Sequence, residues 1–343
     1  MQKQLSYGYK IAWQFYQTET PMYIITGGAG FIGSAIIWML NENGIDDILV
    51  VDHLGSSNKW KNLVNRKYRD YMHKSVFLQN IEKNRFDRAD AIIHMGACSS
   101  TTEMDADYLM ENNFHYSVTL ATHALANDIR FINASSAATY GDGTQGFTDN
   151  IKELGHLNPL NMYGYTKHLF DMWAVRSGAI NNVASLKFFN VFGPNEYHKE
   201  DMCSMAYKGF HQIRKNGSLR LFKSDHPDYE DGGQRRDFVY VKNCAKIVRW
   251  LMENPSATGL FNVGSGSDSS WNDLANALFK AMNMPLTIDY IDMPEQIQGK
   301  YQYHTKANME NLKSTGCPLD ITGLEDAVSD YVINYLQNED PYL

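Results

Sequence analysis

Residues 26–33, TGGAGFIG, constrain this chain more than any other stretch. They follow the apolar run Tyr23-Ile24-Ile25 and lead into Ser34-Ala35-Ile36-Ile37-Trp38-Met39-Leu40, an order that predicts buried strand, glycine turn and helix. Gly27 suits the tight turn, Gly30 lets backbone N–H groups approach a pyrophosphate, and Gly33 lets the helix pack closely. The start of such a helix carries unpaired N–H groups and a partial positive charge, which together attract phosphate. A glycine turn by itself can be purely structural. Here a second apolar run, Ile48-Leu49-Val50-Val51, ends on Asp52, near the roughly twenty-residue offset of an acid that meets the adenosine ribose.

Strand and helix signals alternate from Met22 onward: strand 23–25, helix 32–43, strand 47–52, then helical or irregular chain to about residue 84. Strand 91–94, a long helix over about 105–127 and strand 130–134 follow. This alternation predicts an α/β fold, a doubly wound parallel (Rossmann) sheet with ligands at the carboxyl ends of its strands. The texture changes after Asn190. Gly193-Pro194-Asn195 interrupts the pattern, a helix is expected at 202–215, and a polar loop over 223–236 holds Asp225, Asp228, Glu230 and Asp231. Strand 238–241, helix 242–253 and the run 259–264 lead back, and helices from 270–282 through 324–338 suggest a small cap. The expected organisation is an extension at 1–21, a Rossmann domain at 22–193 with a return of 238–264, and an interleaved substrate-binding lobe at 194–237 and 265–343. Met22 sits where a start would suit the fold, so residues 1–21 read as an upstream translation start or an added extension. They have neither the apolar core nor the cleavage site of a signal peptide.

A formal net charge of −8 (31 basic against 39 acidic residues) gives no electrostatic reason to expect nucleic acid or an anionic membrane. No apolar run approaches bilayer length. Cys98, Cys203, Cys244 and Cys317 lie far apart with no CxxC pair, which reads as reduced thiols of a cytoplasmic protein rather than a disulfide or metal framework.

Tyr163-Gly164-Tyr165-Thr166-Lys167 is the second anchor. Four residues apart on a helix, Tyr163 and Lys167 share one face. A free tyrosine, with a pKa of about 10, is a poor base near neutrality, and a nearby ammonium lowers that value. Behind a Rossmann turn the pair therefore predicts an acid/base tyrosine whose lysine also holds the nicotinamide ribose; elsewhere it would read as an amphipathic helix with a solvated lysine. Ser136, in ASSAATYG just past strand 130–134, would hold the substrate oxygen that Tyr163 deprotonates.

TGGAGFIG, Asp52, GACSS at 96–100, SSAATYG, YGYTK and FFNVFGP at 188–194 resemble the extended short-chain dehydrogenase/reductase family of nucleotide-sugar enzymes, the NAD-dependent epimerases and dehydratases. MGACSSTTEMD (95–105), NPLNMYGYTKHLFD (158–171), KFFNVFGPNEYHK (187–199), RRDFVYV (235–241) and GKYQYHTKANMENL (299–312) extend the likeness over roughly 22–338 and point to its 6-epimerase members. The resemblance implies an epimerase that inverts C6″ of an ADP-heptose or related nucleotide sugar by transient oxidation with tightly bound NADP, in a homo-oligomer, a pentamer by the same likeness. It places Phe31 and Ile32 on the pyrophosphate and His53 with Asp52 on the ribose. Lys59 and Lys74 fall around the cofactor phosphate, and Met95, Gly96, Ala97, Cys98, Ser99, Asn112 and Val191 along the cofactor. Tyr163 and Lys199 match a pair of proton acceptors, with Lys199 also bordering the cofactor. Asn190, Asp201, Lys208, Phe222, Ser224, Arg236 and Tyr301 fall in substrate-binding motifs.

A second acid/base is also reasonable physically, since a ketone that receives hydrogen on either face needs one proton donor per face; a lysine serves if burial or a cation depresses its pKa. Arg236, followed by Asp237, suits a diphosphate. The chain departs from the pattern at Met95, in place of an acid, at Asp201 and Lys208, in place of Ser and His, and in the longer, more acidic loop 223–236. An acid at the end of the second strand favours NAD. Lys59 and Lys74 offset it, so NADP is expected, with NAD as the alternative. A 4-epimerase or 4,6-dehydratase of the same family is the nearest rival, and a non-catalytic NADP-binding regulator a more distant one. The two alanines after Ser136 argue against a dehydratase, which needs an acid there.

Overall fold

The computed structural model describes residues 22–294 and 301–343; the extension read at 1–21 lies outside them. β1 (Tyr23–Thr26), β2 (Ile48–Asp52), β3 (Asp70–His73), β4 (Ala91–His94), β5 (Arg130–Ser136), β6 (Val183–Phe188) and, after an excursion, β11 (Gly259–Val263) form one seven-stranded sheet. Its order is β11-β6-β5-β4-β1-β2-β3, and every pairing in it is parallel. Successive strand residues feed opposite faces. Ile24, Leu49, Val51, Ile92 and Phe131 enter one buried apolar cluster, and Ile25, Val50, Ile93 and Ile132 enter another. A sheet covered on both faces reads as continuous apolar runs, which is why these strands were legible. Strand order reverses between β1 and β4, where an open α/β sheet leaves a crevice at its carboxyl edge.

Several local expectations change. β3 falls within chain read as helical or irregular, because its sequence, DYMH, has a single fully buried side chain. The long helix expected at 105–127 is α-helical at Ala106–Leu109 and Tyr116–Ala126 but widens to a π-turn at Met110–His115. Inside that turn Asn113 Oδ1 accepts from the Cys98 N–H (2.8 Å) and its amide donates to the Cys98 carbonyl (3.0 Å), so the bulge is tied to the loop after β4.

Beyond β7 (Asn190–Phe192) the chain builds a second region. The helix Met205–Asn216 leads to β8 (Leu219–Phe222), which pairs with β13 (Ile288–Ile291). β9 (Arg235–Arg236) pairs with β12 (Ser269–Ser270), and β10 (Phe238–Tyr240) pairs with β7 rather than with the main sheet. β11 (Gly259–Val263) alone of this stretch joins the large sheet, beside β6. Phe192, Phe210, Leu219, Leu278, Phe279 and Tyr331 anchor a third apolar cluster, under the helix Trp271–Ala281.

Candidate active site

The turn after β1 opens on the helix Phe31–Glu42, whose N-cap Gly30 makes no side-chain cap and whose first turn holds no acid. Its leading N–H groups therefore remain for an anion. Gly33 is required by contact: a Cβ there would fall 2.2 Å from the Gly27 carbonyl oxygen. Across the crevice, the helix Met162–Arg176 begins on Asn161, which caps the Gly164 N–H (2.8 Å). A Cβ on Gly164 would lie 2.7 Å from the Ala138 carbonyl, so glycine lets this helix meet the loop after β5 and brings Tyr163 to Ser136.

One cavity of about 1030 Å³ runs along the carboxyl edge. Gly27, Gly30, Phe31, Ile32, Gly33, Asp52, His53, Lys59, Met95, Gly96, Ala97 and Ser99 line one end. Ser136, Tyr163, Lys167, Asn190, Val191 and Lys199 line its middle. A side cavity of about 120 Å³ holds Lys74, Cys98 and Asn112 with Lys59 and Tyr108. Every residue expected around the cofactor thus borders one of two adjoining spaces. The substrate set is split. Asn190 and Ser136 line the main cavity, whereas Asp201, Lys208, Phe222, Ser224, Arg236 and Tyr301 do not. Lys208 Nζ donates to the Asp201 carbonyl on an exposed surface, and Ser224 is tied inside the acidic loop through Asp231 and His226. Arg236 is buried, its guanidinium 5.1 Å from the Tyr301 ring and 5.7 Å from that of Trp271, which lines the cavity. Asp237 makes no pair with it and instead accepts from the N–H groups of Ser265, Gly266 and Ala307.

The Asp52 carboxylate is fully engaged. Oδ2 accepts from the Ala29 N–H (2.9 Å), and Oδ1 accepts from the His53 N–H and from Lys59 Nζ (both 2.6 Å). The acid thus braces the glycine turn, and a lysine offsets its charge. Lys74 donates to Asn112 in the side cavity, and burial, then Lys59, lowers its pKa.

Tyr163 does not behave as its lysine neighbour suggested. Burial pushes the phenol above its ordinary value, and the influence that lowers it is a hydrogen bond with Ser136. Lys167 Nζ donates to the Ala134 carbonyl (2.6 Å) at the end of β5, which lies within reach of the helix face. Burial lowers Lys167 to about 8, with Asp171 pulling it back up. On the other wall Lys199 Nζ lies 5.2 Å over the Phe31 ring, and burial lowers its pKa, against the opposing pull of Glu196. That direction suits a group that must both release and recover a proton near neutrality.

Several residues of the site were not read from the sequence. Glu196 is fully buried and accepts from the N–H groups of Gly193 (3.2 Å) and Ser204 (2.5 Å), the Ser204 hydroxyl (2.7 Å) and the Tyr331 hydroxyl (3.1 Å). His198, lowered to about 4 by burial and then by Lys59 and Lys199, is a neutral ring in the cavity wall. Trp271, in SSWNDL, carried only the signature of a helix start. Behind the strands, the fully buried His94 sits between the Thr26 hydroxyl and the Ser117 hydroxyl, held neutral by burial with a pKa near 3. Among the described residues no group of three or more His, Cys, Asp or Glu could hold a metal ion. The unguarded helix start, the close-packed glycine turn and the lysines fit a nicotinamide dinucleotide.

The family model described as "NAD dependent epimerase/dehydratase family" matches residues 23–264. An ADP-L-glycero-D-manno-heptose-6-epimerase of Nitratidesulfovibrio vulgaris (strain DP4) is 57% identical over 323 residues, 94% of this chain and 100% of that protein. A protein of the same name from Fusobacterium nucleatum is 45% identical, again over 94% of this chain and 100% of the relative. Among solved structures, the ADP-L-glycero-D-manno-heptose-6-epimerase of Helicobacter pylori superposes with a TM-score of 0.76 at 26% identity, covering 92% of this chain and 96% of that one. The Thermus thermophilus UDP-glucose 4-epimerase, solved with NAD, shares the fold at a TM-score of 0.70 and 20% identity over 91% and 97% of the two chains. With the seven-stranded parallel sheet, the glycine turn and these matches together, the chain belongs to the NAD dependent epimerase/dehydratase family.

Proposed function

We propose that this protein is an ADP-L-glycero-D-manno-heptose 6-epimerase, inverting C6″ of ADP-D-glycero-D-manno-heptose for the inner core of lipopolysaccharide. The observation that carries the reading is that Tyr163 and Lys199 enter one cavity from different elements, beside a turn built for a dinucleotide. The names of the relatives point the same way. Ser136, bonded to the Tyr163 phenol, orients the C6″ hydroxyl. Tyr163 accepts that hydroxyl's proton once its phenol, which burial favours in the protonated form, has ionised, and Lys167 keeps a positive charge beside the strand end where the cofactor ribose would lie. A bound nicotinamide would supply reversible acceptance of a hydride from C6″, so that the ketone could be reduced again on its other face with no net oxidation. Lys199 then protonates the oxygen in its second orientation. Arg236, close to the Tyr301 and Trp271 rings, is assigned to the diphosphate.

NADP is the cofactor of this reading. The ion pair between Lys59 and Asp52 removes the repulsion that a free carboxylate would exert on a 2′-phosphate, and Lys74 supplies a second cation in the adjoining space. Asp52 is the only carboxylate among the described residues lining the main cavity, which disfavours a dehydratase, since that chemistry needs an acid beside the ketone. The stretches 194–237 and 265–343 are assigned to the substrate side, with Ala307, Met309, Leu312, Cys317 and Leu343 packing instead in the cluster of Ile25 and Val50. No described helix is long and apolar enough to cross a membrane, and the four cysteines are free, in keeping with a cytoplasmic homo-oligomer, for which a pentamer is proposed and light scattering is the check.

The test is proton NMR of the purified protein with ADP-D-glycero-D-manno-heptose and no added cofactor. Appearance of the L-glycero epimer supports both the reaction and a retained cofactor; no conversion, even with NADP added, rejects the assignment.

A further inference from the structure

Lys199 sits on a stretch with little regular structure, yet three separate parts of the chain clamp that stretch. Asn195, fully buried in a left-handed conformation (φ 76°), is the hub. Its amide donates to Ser34 Oγ (2.9 Å) on the helix behind the glycine turn, and its carbonyl accepts from Asn62 Nδ2 (3.1 Å). Its side-chain oxygen accepts from the Leu343 N–H (3.0 Å). Two residues on, the Tyr197 hydroxyl donates to the Pro341 carbonyl (2.6 Å), and its ring meets Tyr342 edge-on at 5.3 Å. The C-terminal residues are themselves held in place: Arg66 donates to the Leu343 carbonyl, and Asn65 Nδ2 donates to Asp340 (2.9 Å). The Leu343 side chain is buried in the apolar cluster that contains Leu63 and Phe31, and the Phe31 ring is the one beneath Lys199.

We propose that residues 341–343 are a positioning segment for Lys199: they hold the 195–199 backbone so that the ammonium lies over Phe31, within the cavity that Tyr163 enters from the other side. The physical case rests on reach and on backbone cost. A lysine has four rotatable side-chain bonds, and its own backbone is followed by Glu200 at φ 49°, a conformation that a non-glycine residue holds only when its surroundings impose it. No side chain bonds Lys199 Nζ within salt-bridge distance among the described residues, so its place is set by where the backbone puts it. Displacing a catalytic group by about 1 Å can cost about a hundredfold in rate. The contacts that prevent such displacement come from residues more than 140 positions away in the chain. This inference rests on the reading of Lys199 as an acid/base.

The experiment compares three proteins with the parent: Tyr197→Phe, the double variant Tyr342→Ala/Leu343→Ala, and Lys199→Met, together with the tail changes made in the Lys199→Met background. Epimerisation is followed by NMR, with KM, cofactor content and thermal midpoint measured on each. We expect kcat to fall about tenfold or more in the double variant and severalfold in Tyr197→Phe, with KM and cofactor content within about twofold. In the Lys199→Met background the tail changes should cost nothing further, because groups that act through one another are non-additive. Unchanged kcat in both tail variants overturns the inference, as does a loss that persists undiminished without Lys199. If the double variant does not fold, Tyr197→Phe, which keeps the ring and removes only the hydroxyl, decides. Full activity of Lys199→Met would instead defeat the acid/base assignment, separately from the inference.

Discussion

Tyr163 enters the cleft from the first turn of a regular 15-residue helix, capped by its own neighbour Asn161, whereas Lys199 enters from a short 3-10 stretch with left-handed residues at Asn195 and Glu200. The first wall rests on a regular helix with its cap two residues before Tyr163, and on the loop after β5, where Ser136 meets the phenol. The second depends on Glu196 buried against Ser204 and Tyr331, and on ties to Ser34, Asn62 and residues 341–343. Two groups to which we assign parallel tasks are therefore held by different means, one chiefly by a regular capped helix and one by long-range tertiary contact. The difference predicts that the Tyr163 wall tolerates damage around it, while the Lys199 wall does not.

The largest effect should come from the chemistry itself. Tyr163→Phe removes the phenolic proton acceptor and should lower kcat by about 10²- to 10⁴-fold with the fold and cofactor intact. Turnover within a few-fold of the parent would remove Tyr163 from the mechanism.

Next comes support of the two walls. Glu196→Ala leaves buried donors of Gly193, Ser204 and Tyr331 without a partner, at about 1–3 kcal/mol for each unsatisfied group. Asn161→Ala, which uncaps the Tyr163 helix, should cost only about 1 kcal/mol. Denaturant unfolding of both variants checks this, and equal losses would erase the contrast between the walls.

Smaller still is the effect at the cofactor end. Lys59→Ala frees the Asp52 carboxylate and should reduce NADP affinity relative to NAD by about tenfold, or about 1.4 kcal/mol. Titration with each dinucleotide measures it, and an unchanged ratio would return the preference to the acid alone.

The mildest effect is the pH dependence. Because burial lowers Lys167 to about 8, its ammonium is lost as pH rises through that value, so kcat should decline above about pH 8. Stability runs the other way. The folded state binds the lysine proton more weakly than the unfolded chain, so the cost of burying the charge is full below about pH 8 and is relieved as pH climbs toward the ordinary lysine value. Lys167→Arg keeps its charge and should move the alkaline limb upward; a limb that stays in place would assign it to another group.

The parts of the site that were legible share a local signature. TGGAGFIG declared its turn by a spacing that is local in part: Gly30 and Gly33 answer contacts with Gly27, where a Cβ at Gly33 would fall 2.2 Å from its carbonyl oxygen, whereas Gly27 itself makes room for Gly96. YGYTK declared its helix face by spacing. β3, with one buried side chain in four, carried no periodicity to read. The π-turn at Met110–His115 was hidden because its cause is Asn113 reaching across to Cys98, a partner that no helical pattern encodes. Asp52 was found as the acid at the end of the second strand. That its oxygens face Ala29, His53 and Lys59 was not legible, because it depends on how two loops meet in space.

By itself, the sequence determined the doubly wound sheet, the glycine turn after its first strand, and the common helix face of Tyr163 and Lys167, since alternation of apolar runs and spacing along one helix are properties of neighbouring residues. Only the tertiary structure decided that Lys167 turns to Ala134 while Ser136 meets the phenol, that Arg236 lies close to the Tyr301 and Trp271 rings, and that Asn195 and Tyr197, just before Lys199, are tied to residues 341–343. Each of these joins groups remote in sequence, and the free energy of such contacts exists only once the packed core has brought their backbones together.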